Sequence, residues 1–408
     1  MPHSVITSRE AIVKALPIFI AAINMRAGLT IMSPLIPILK EQYHLSSFLL
    51  SFLTSLTVLC FAASAFLMPL VGKIGGTNRV ITFSLVVLTV AIFLRAIGNV
   101  PMLFLSSLTV GIAIAILNFS LPVWVKENTS EHSGLVTGIY ITTMGVFAAV
   151  SVAVAVPLAN ATSWGWRLSM VPWIITGLIS SIWWILKNPR SLKGSHMEIS
   201  SKFHSELLTK PGAWSIALFF GIQSMLFYGT ATWLPTILVS KGLSLSNAGF
   251  MVSITGLLGS VIGIVAPHFS SKLRDLRILL VFVGLIISIS FAGIIFDHGW
   301  RLVIWLLISN IGLSVSFPLA LLLTVTRSVG AGETRSLSIM AQAVGYLMAA
   351  FAPGIVGVIF DSTLNWNIAL IFPVVLGLFL GAAGYFAGNP EKILILDLEK
   401  AEEKEAVE

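Results

Sequence analysis

Long apolar runs alternate with short polar segments from one end of this chain to the other. Twelve of the runs approach or exceed the ~20 residues an α-helix needs to cross a bilayer. They lie near 12–39, 47–72, 78–98, 101–124, 133–158, 168–187, 212–239, 246–270, 277–296, 301–325, 335–360 and 364–388. Inside lipid the backbone N–H and C=O groups find no outside partner, so each run predicts a helix. The third is the weakest, because Arg79 and Arg95 bracket only fifteen uncharged residues. The uncharged stretch 132–166 holds one helix and a loop, since Pro157, Asn160 and Gly165 interrupt it. The pattern predicts an all-α polytopic membrane protein.

Composition agrees: 56% of the 408 residues are hydrophobic and 10% charged, against roughly 25% charged in a soluble domain. The net charge of +7 acquires its meaning from position. An even number of spans puts both termini on one side. With that side inside, eighteen Lys and Arg fall on the inner face and five, Arg95 among them, on the outer, while Arg26 alone remains in the membrane. This satisfies the positive-inside rule. The basic excess therefore predicts cytoplasmic termini in the cell membrane and calls for no nucleic-acid partner. The opening residues MPHSVITSRE carry no cleavage-site pattern, and no cleaved signal peptide is expected. A single cysteine, Cys60, excludes a disulfide framework, and the seven histidines form no metal-ligating pair. No metal or cofactor is expected.

The two halves of the chain repeat. An offset of 198 places Pro37 on Pro235, Leu45 on Leu243, Ser46 on Ser244 and Pro69 on Pro267; an offset of 200 places Gly145 on Gly345, Ala149 on Ala349 and Trp166 on Trp366. The polar, basic segment 188–211 separates the halves. The predicted organisation is a six-helix bundle over 1–187, a cytoplasmic linker over 188–211, a second six-helix bundle over 212–388 and a charged tail over 389–408. Repeated bundles of this kind hold a solute site between them, near the bilayer midplane.

Arg26 is the feature around which function is expected to turn. It lies twelve residues from Lys14 and fourteen from Lys40, near mid-membrane, where a charge costs on the order of 2.5–3.5 kcal/mol on insertion scales. All seventeen Asp and Glu fall in loops, at span ends or in the tail. Arg26 therefore has no carboxylate at its own depth, and an anionic or strongly polar solute is the natural counter-charge. Asn24 lies two residues before Arg26. Thr30 and Ala22 share the Arg26 face by their spacing of four. Gln223, Ser224 and Tyr228 occupy the matching depth in span seven, and Gln342 and Tyr346, four apart, share a face in span eleven. Asn118, Tyr140 and Asn310 are further polar candidates, equally suited to hydrogen bonding between helices. Trp233 reads as an interfacial anchor, and Gly256, Gly259 and Gly263 as positions of close helix approach.

At these residues the chain resembles the cyanate/2-nitroimidazole (CynX/NimT) branch of the major facilitator superfamily. The resemblance rests on Asn24-Met25-Arg26, on GIQSMLFYGTATWLPTILVSKGLS in span seven and on AQAVGYLMAAFAPGIVG in span eleven. Asn118-Phe-Ser-Leu-Pro122 and Tyr140 in TGIYITT fit as well. It implies that superfamily's fold and transport of a small solute by alternating access. The candidate site residues are Arg26, Asn24, Gln223, Tyr228, Gln342, Tyr346, Asn118 and Tyr140. The expected cargo is a small polar anion such as cyanate, with neutral nitrogen heterocycles as the alternative. A coupling proton or counter-solute accompanies either reading, and the chain is expected to act as a monomer. An enzyme is disfavoured, because no buried acid–base pair or activated nucleophile is visible.

Overall fold

The computed structural model describes residues 7–71, 75–187, 203, 205–270, 272–328 and 331–390, leaving aside the side chains of 64–71, 130, 187, 264, 267, 268 and 331. The Pro69–Pro267 pair, most of the 188–211 linker and the tail beyond 390 lie outside this description. The first half contains α1 (Ser8–Lys14), α2 (Leu16–Thr30), α3 (Met32–Tyr43), α4 (Ser47–Val71), α5 (Thr77–Ile97), α6 (Val100–Asn128), α7 (Ser133–Ala159) and α8 (Val171–Lys187). The second contains α9 (Pro211–Ser240), α10 (Leu245–Ser270), α11 (Arg277–Phe296), α12 (Leu302–Thr326), α13 (Ala331–Thr363), α14 (Trp366–Ala369) and α15 (Ile371–Ala387). Eleven helical segments are long and apolar enough to cross a membrane, the first of them α2 and α3 together, and α4 makes the twelfth spanning helix.

The sequence shapes the helix ends. Pro101 and Pro211 occupy first turns, where a missing N–H costs nothing. Asn99 accepts from the Met102 N–H at 3.3 Å and caps α6. The first span is broken rather than continuous. Pro34 lacks the N–H that would meet the Thr30 carbonyl, and its ring crowds that carbonyl. The helix accordingly stops at Thr30 and restarts at Met32.

Packing partners repeat between the halves. In the first, α2 packs on α7 and α8, α4 on α6, and α5 on α6 and α8. In the second, α9 packs on α13 and α15, α10 on α12, and α11 on α12 and α15. Trp166 and Trp366, paired by the sequence offset, both lie buried in short turns that lead into the last helix of their half. Large apolar side chains such as Ile278, Phe282 and Phe379 are exposed, giving a surface suited to lipid. Where α11 meets α15 the backbones touch: a Cβ on Gly284 would lie 2.6 Å from the Gly377 carbonyl and against the Gly381 nitrogen. Gly284→Val is expected to cost about 1–3 kcal/mol by overpacking. It should lower the unfolding temperature of purified protein without changing solute selectivity.

The halves meet through α4 with α13, α7 with α10, and α3 with α9. Their named contacts lie at mid-depth and towards the end away from the chain termini. Ser33 Oγ donates to the Ala231 carbonyl and, at 3.1 Å, to that of Thr232. Asp361 of α13 accepts from the Phe48 N–H at 3.2 Å and lies 3.9 Å from Lys40 Nζ. Gly357 allows α13 to approach the Ser47 carbonyl, which would stand 3.0 Å from an added Cβ. On the terminal side a cleft of about 510 Å³ runs along the first half of α7, lined by Gly134, Leu135, Gly138, Thr142 and Phe147 among others. The protein is thus closed at the end away from the termini, while the cleft is lined by α7 alone.

Candidate functional site

Three helices bring the main polar groups together. Arg26, on α2, stands four residues before the break at Thr30–Ile31. Thr30 Oγ1 bonds back to the Arg26 carbonyl at 2.9 Å and meets Ser151 of α7 at 2.8 Å, which ties this turn to its neighbour. The Arg26 guanidinium lies near Tyr228 on α9 and Tyr346 on α13. Arg26 is half-buried. A side chain at this depth that keeps accessible surface faces internal space. Gln342 and Tyr346 are likewise half-buried, one turn apart on α13. Gln223 of α9 is buried and donates to Ser224 Oγ at 2.6 Å. Among the described residues, Arg26 has no carboxylate partner; the ion pairs Lys40–Asp361 and Arg301–Asp297 lie at the closed end.

Aromatic rings surround these tyrosines. Tyr228 and Tyr346 meet edge-to-face at 6.3 Å between centroids. Phe61 of α4 lies 5.6 Å from Tyr346 and 6.4 Å from Tyr228. Phe220 stands 5.4 Å from Tyr346 and 5.8 Å from Phe317 of α12, while Phe227 stands 5.1 Å from Tyr228. Sequence reasoning passed over these rings. Phe220 and Phe227 carry a usable signal, since a spacing of seven puts them on one helix face with Ser224 between them. Phe61 and Phe317 carry none, because any apolar membrane helix contains such residues.

Other expected site residues lie elsewhere. Asn24 is turned away from Arg26. Its amide is buried against α8, donating to the Trp173 carbonyl at 3.0 Å and Thr176 Oγ1 at 2.9 Å and accepting from the Gly177 N–H at 3.0 Å. These bonds fix α2 to α8, because residues two apart in a helix point about 200° from each other and Arg26 takes the opposite side. Asn118 is exposed on α6, and Tyr140 is buried on α7; the structure does not join either to the Arg26 group. Asn310 donates to Thr255 of α10 at 3.2 Å and to the Leu306 carbonyl at 2.9 Å. Gly259 and Gly263 pack against the α12 backbone at Asn310 and Ser314, as close-approach positions should. Trp233 is not an interfacial anchor. It is buried, donates to the Pro353 carbonyl at 2.9 Å and packs against Trp366.

Arg95 also corrects the charge map. It is counted from sequence as an outer-face charge, yet it is 1% exposed. Its guanidinium donates to the Gly28 carbonyl at 2.7 Å, Ser107 Oγ at 3.1 Å and Ser106 Oγ at 3.3 Å.

A membrane protein built from two repeated helical halves, with a lone cation and polar groups facing space between them, belongs to the class of solute transporters. The chain is a member of the Major Facilitator Superfamily, whose sequence pattern matches residues 18–353. It is 32% identical over 378 residues to the uncharacterized transporter YycB of Bacillus subtilis, covering 92% of this chain and 93% of that one. It is 30% identical to the 2-nitroimidazole transporter of Escherichia coli (95% and 98% covered) and 24% identical to the cyanate transport protein CynX of the same organism (84% and 89% covered). The fold superposes with a TM-score of 0.77 on a bacterial homologue of the lysosomal transporter Spinster, at 14% identity, covering 93% of this chain and 97% of that one. The protein is a multi-pass membrane transporter, similar to those two transporters, rather than an enzyme.

Proposed function

We propose that this transporter carries a small planar solute with an anionic or strongly polar end, and that Arg26 is its anchor. The observation that carries the reading is Arg26 itself: half-buried, without a carboxylate partner among the described residues and near Tyr228 and Tyr346. A guanidinium offers a planar fork of N–H donors matched to a planar anion. The ring faces and edges of Tyr228, Tyr346 and Phe61 favour a flat partner over a bulky one. Cyanate-like anions and nitrogen heterocycles with a polar substituent both meet these terms, and proteins carrying both kinds of cargo are among its relatives. Gln223 and Gln342 orient the solute from the second half. Asn24 serves the helix lock described above and is left out of this site, as are Asn118 and Tyr140, which the structure does not join to it.

In this reading the bundles are 1–187 and 212–388, joined by a cytoplasmic linker, and both termini face the cytoplasm of the cell. The closed end then faces outward, and rocking of the halves alternates access to Arg26. With no membrane carboxylate to relay a proton, a monoanion entering a negative-inside cell would have to climb about 2.3 kcal/mol per 100 mV. Export, or exchange for another solute, avoids that climb. The test is uptake of cyanate and of 2-nitroimidazole into proteoliposomes at imposed potentials. Cyanate flux should follow the potential unless a counter-ion is supplied, and 2-nitroimidazole flux should not. Failure of both solutes to move, or to raise the unfolding temperature of the purified protein, would overturn the proposal.

A further inference from the structure

A buried cation away from the solute site stands out. Arg95, near the end of α5, is sealed from any solute, yet it spends its best hydrogen bond on a backbone carbonyl of α2. That carbonyl belongs to Gly28, two residues beyond Arg26. The last backbone bond of α2 runs from the Ile31 N–H to the Ala27 carbonyl. The break before Met32 therefore leaves the next carbonyl, Gly28, without its usual helical donor. An orphaned carbonyl at this depth is costly unless satisfied. Arg95 satisfies it at 2.7 Å, while Ser106 and Ser107 of α6 hold the guanidinium from behind.

We propose that Arg95 is a positioning residue for the solute site: it caps the broken end of α2 from α5 and α6 and thereby sets where Arg26 points. Three observations support this. The contact is the shortest that Arg95 makes. It falls on the turn that also carries the Thr30–Arg26 and Thr30–Ser151 bonds. Gly28 itself packs on α5, since an added Cβ would lie 3.3 Å from Ile92. A turn fixed on one side to α7 and on the other to α5 leaves Arg26 little freedom. Lysine in place of Arg95 keeps a charge but offers a compact ammonium in place of the planar fork, and cannot reproduce all three bonds in the same directions.

The inference rests on Arg26 facing the solute cavity, and a ligand-free measurement separates its failure from failure of that reading. In Arg26→Cys protein, with the buried native cysteine replaced by Cys60→Ser, the rate of modification by a small methanethiosulfonate reagent reports how position 26 is presented. Adding Arg95→Lys should change that rate about five-fold or more, and an unchanged rate overturns the proposal. In the otherwise native transporter, Arg95→Lys should raise KM for cyanate or 2-nitroimidazole about ten-fold, since small displacements of a positioned group are felt strongly. It should add nothing to KM in an Arg26→Ala background, because residues acting as one unit are not additive. Additive effects overturn the proposal. If Arg95→Lys does not fold, Ser106→Ala with Ser107→Ala loosens the same guanidinium; it should shift the modification rate in the same direction, and no shift again overturns it.

Discussion

Arg26→Ala is expected to weaken solute transport severely, though measurably, while leaving the protein at least as stable as before. The two halves of that expectation have one origin. A guanidinium without a carboxylate is an uncompensated charge in a low-dielectric interior, tolerated because something it binds returns the lost hydration. Removing it deletes hydrogen bonds to a charged or strongly polar solute, worth about 1.5–3 kcal/mol and more when the partner is left unpaired. At about 1.4 kcal/mol per decade this lowers kcat/KM by roughly a hundred-fold. It also removes a buried cation, so the unfolding temperature should hold or rise. Arg26→Lys should fall in between, keeping the charge and losing the planar fork. The measurement is initial-rate flux of cyanate and 2-nitroimidazole beside thermal unfolding, on wild type and both variants. A variant that transports normally but unfolds early would show that Arg26 holds the helices together and does not meet the solute.

The helices and the central cation are legible in the chain because both are statements about cost. A run of about twenty uncharged, apolar residues is expensive to leave in water and matches the thickness of a bilayer. An arginine inside such a run is expensive wherever the helix packs. The facing of Tyr228 and Tyr346 is legible for a weaker reason: their depth follows from their place in the spans. What the chain does not disclose is azimuth. Asn24 and Arg26 sit two residues apart at one depth, yet one is committed to α8 and the other to the cavity. That choice depends on which helix stands on which side. Arg95 is hidden for a similar reason. An arginine two residues before the end of α5 reads as a solvated terminus, and only the position of the Gly28 carbonyl shows why it is worth burying. Trp233 misleads in the same way, because the end of its span is packed against α13 and α14 of its own half. The break at Ile31 is partly legible, since Pro34 announces it, but the group that repairs it comes from a distant helix.

Asp361→Ala is expected to open the closed end. Asp361 belongs to the second half, yet it meets the first half twice. Its Oδ2 accepts from the Phe48 N–H in the opening turn of α4, at 3.2 Å, and its Oδ1 lies 3.9 Å from Lys40 Nζ. A carboxylate at a helix N-terminus satisfies an orphan donor and favours the positive end of the helix. Here that cap comes from across the interface, so it is lost when the halves separate. The Lys40 ammonium also lies 4.9 Å from the Phe360 ring, which stacks on Trp366 at 4.0 Å. A half-exposed ion pair contributes little, about 0.2–1 kcal/mol, and the cap about 0.5–2 kcal/mol. Removing both should shift the balance of conformations towards the alternative by about ten-fold. Asp361→Asn should shift it less, because the amide oxygen still caps α4 while the charge is gone. Lys40→Ala should shift it least, and Lys40→Ala combined with Asp361→Ala should match Asp361→Ala alone. Spin-label distances between Glu41→Cys and Ser362→Cys, in a Cys60→Ser background, report the opening directly. If Asp361→Ala leaves that distance distribution unchanged, the contact is an incidental one on a seam that α4 and α13 close by apolar packing, and the barrier to opening must be sought along their shared face.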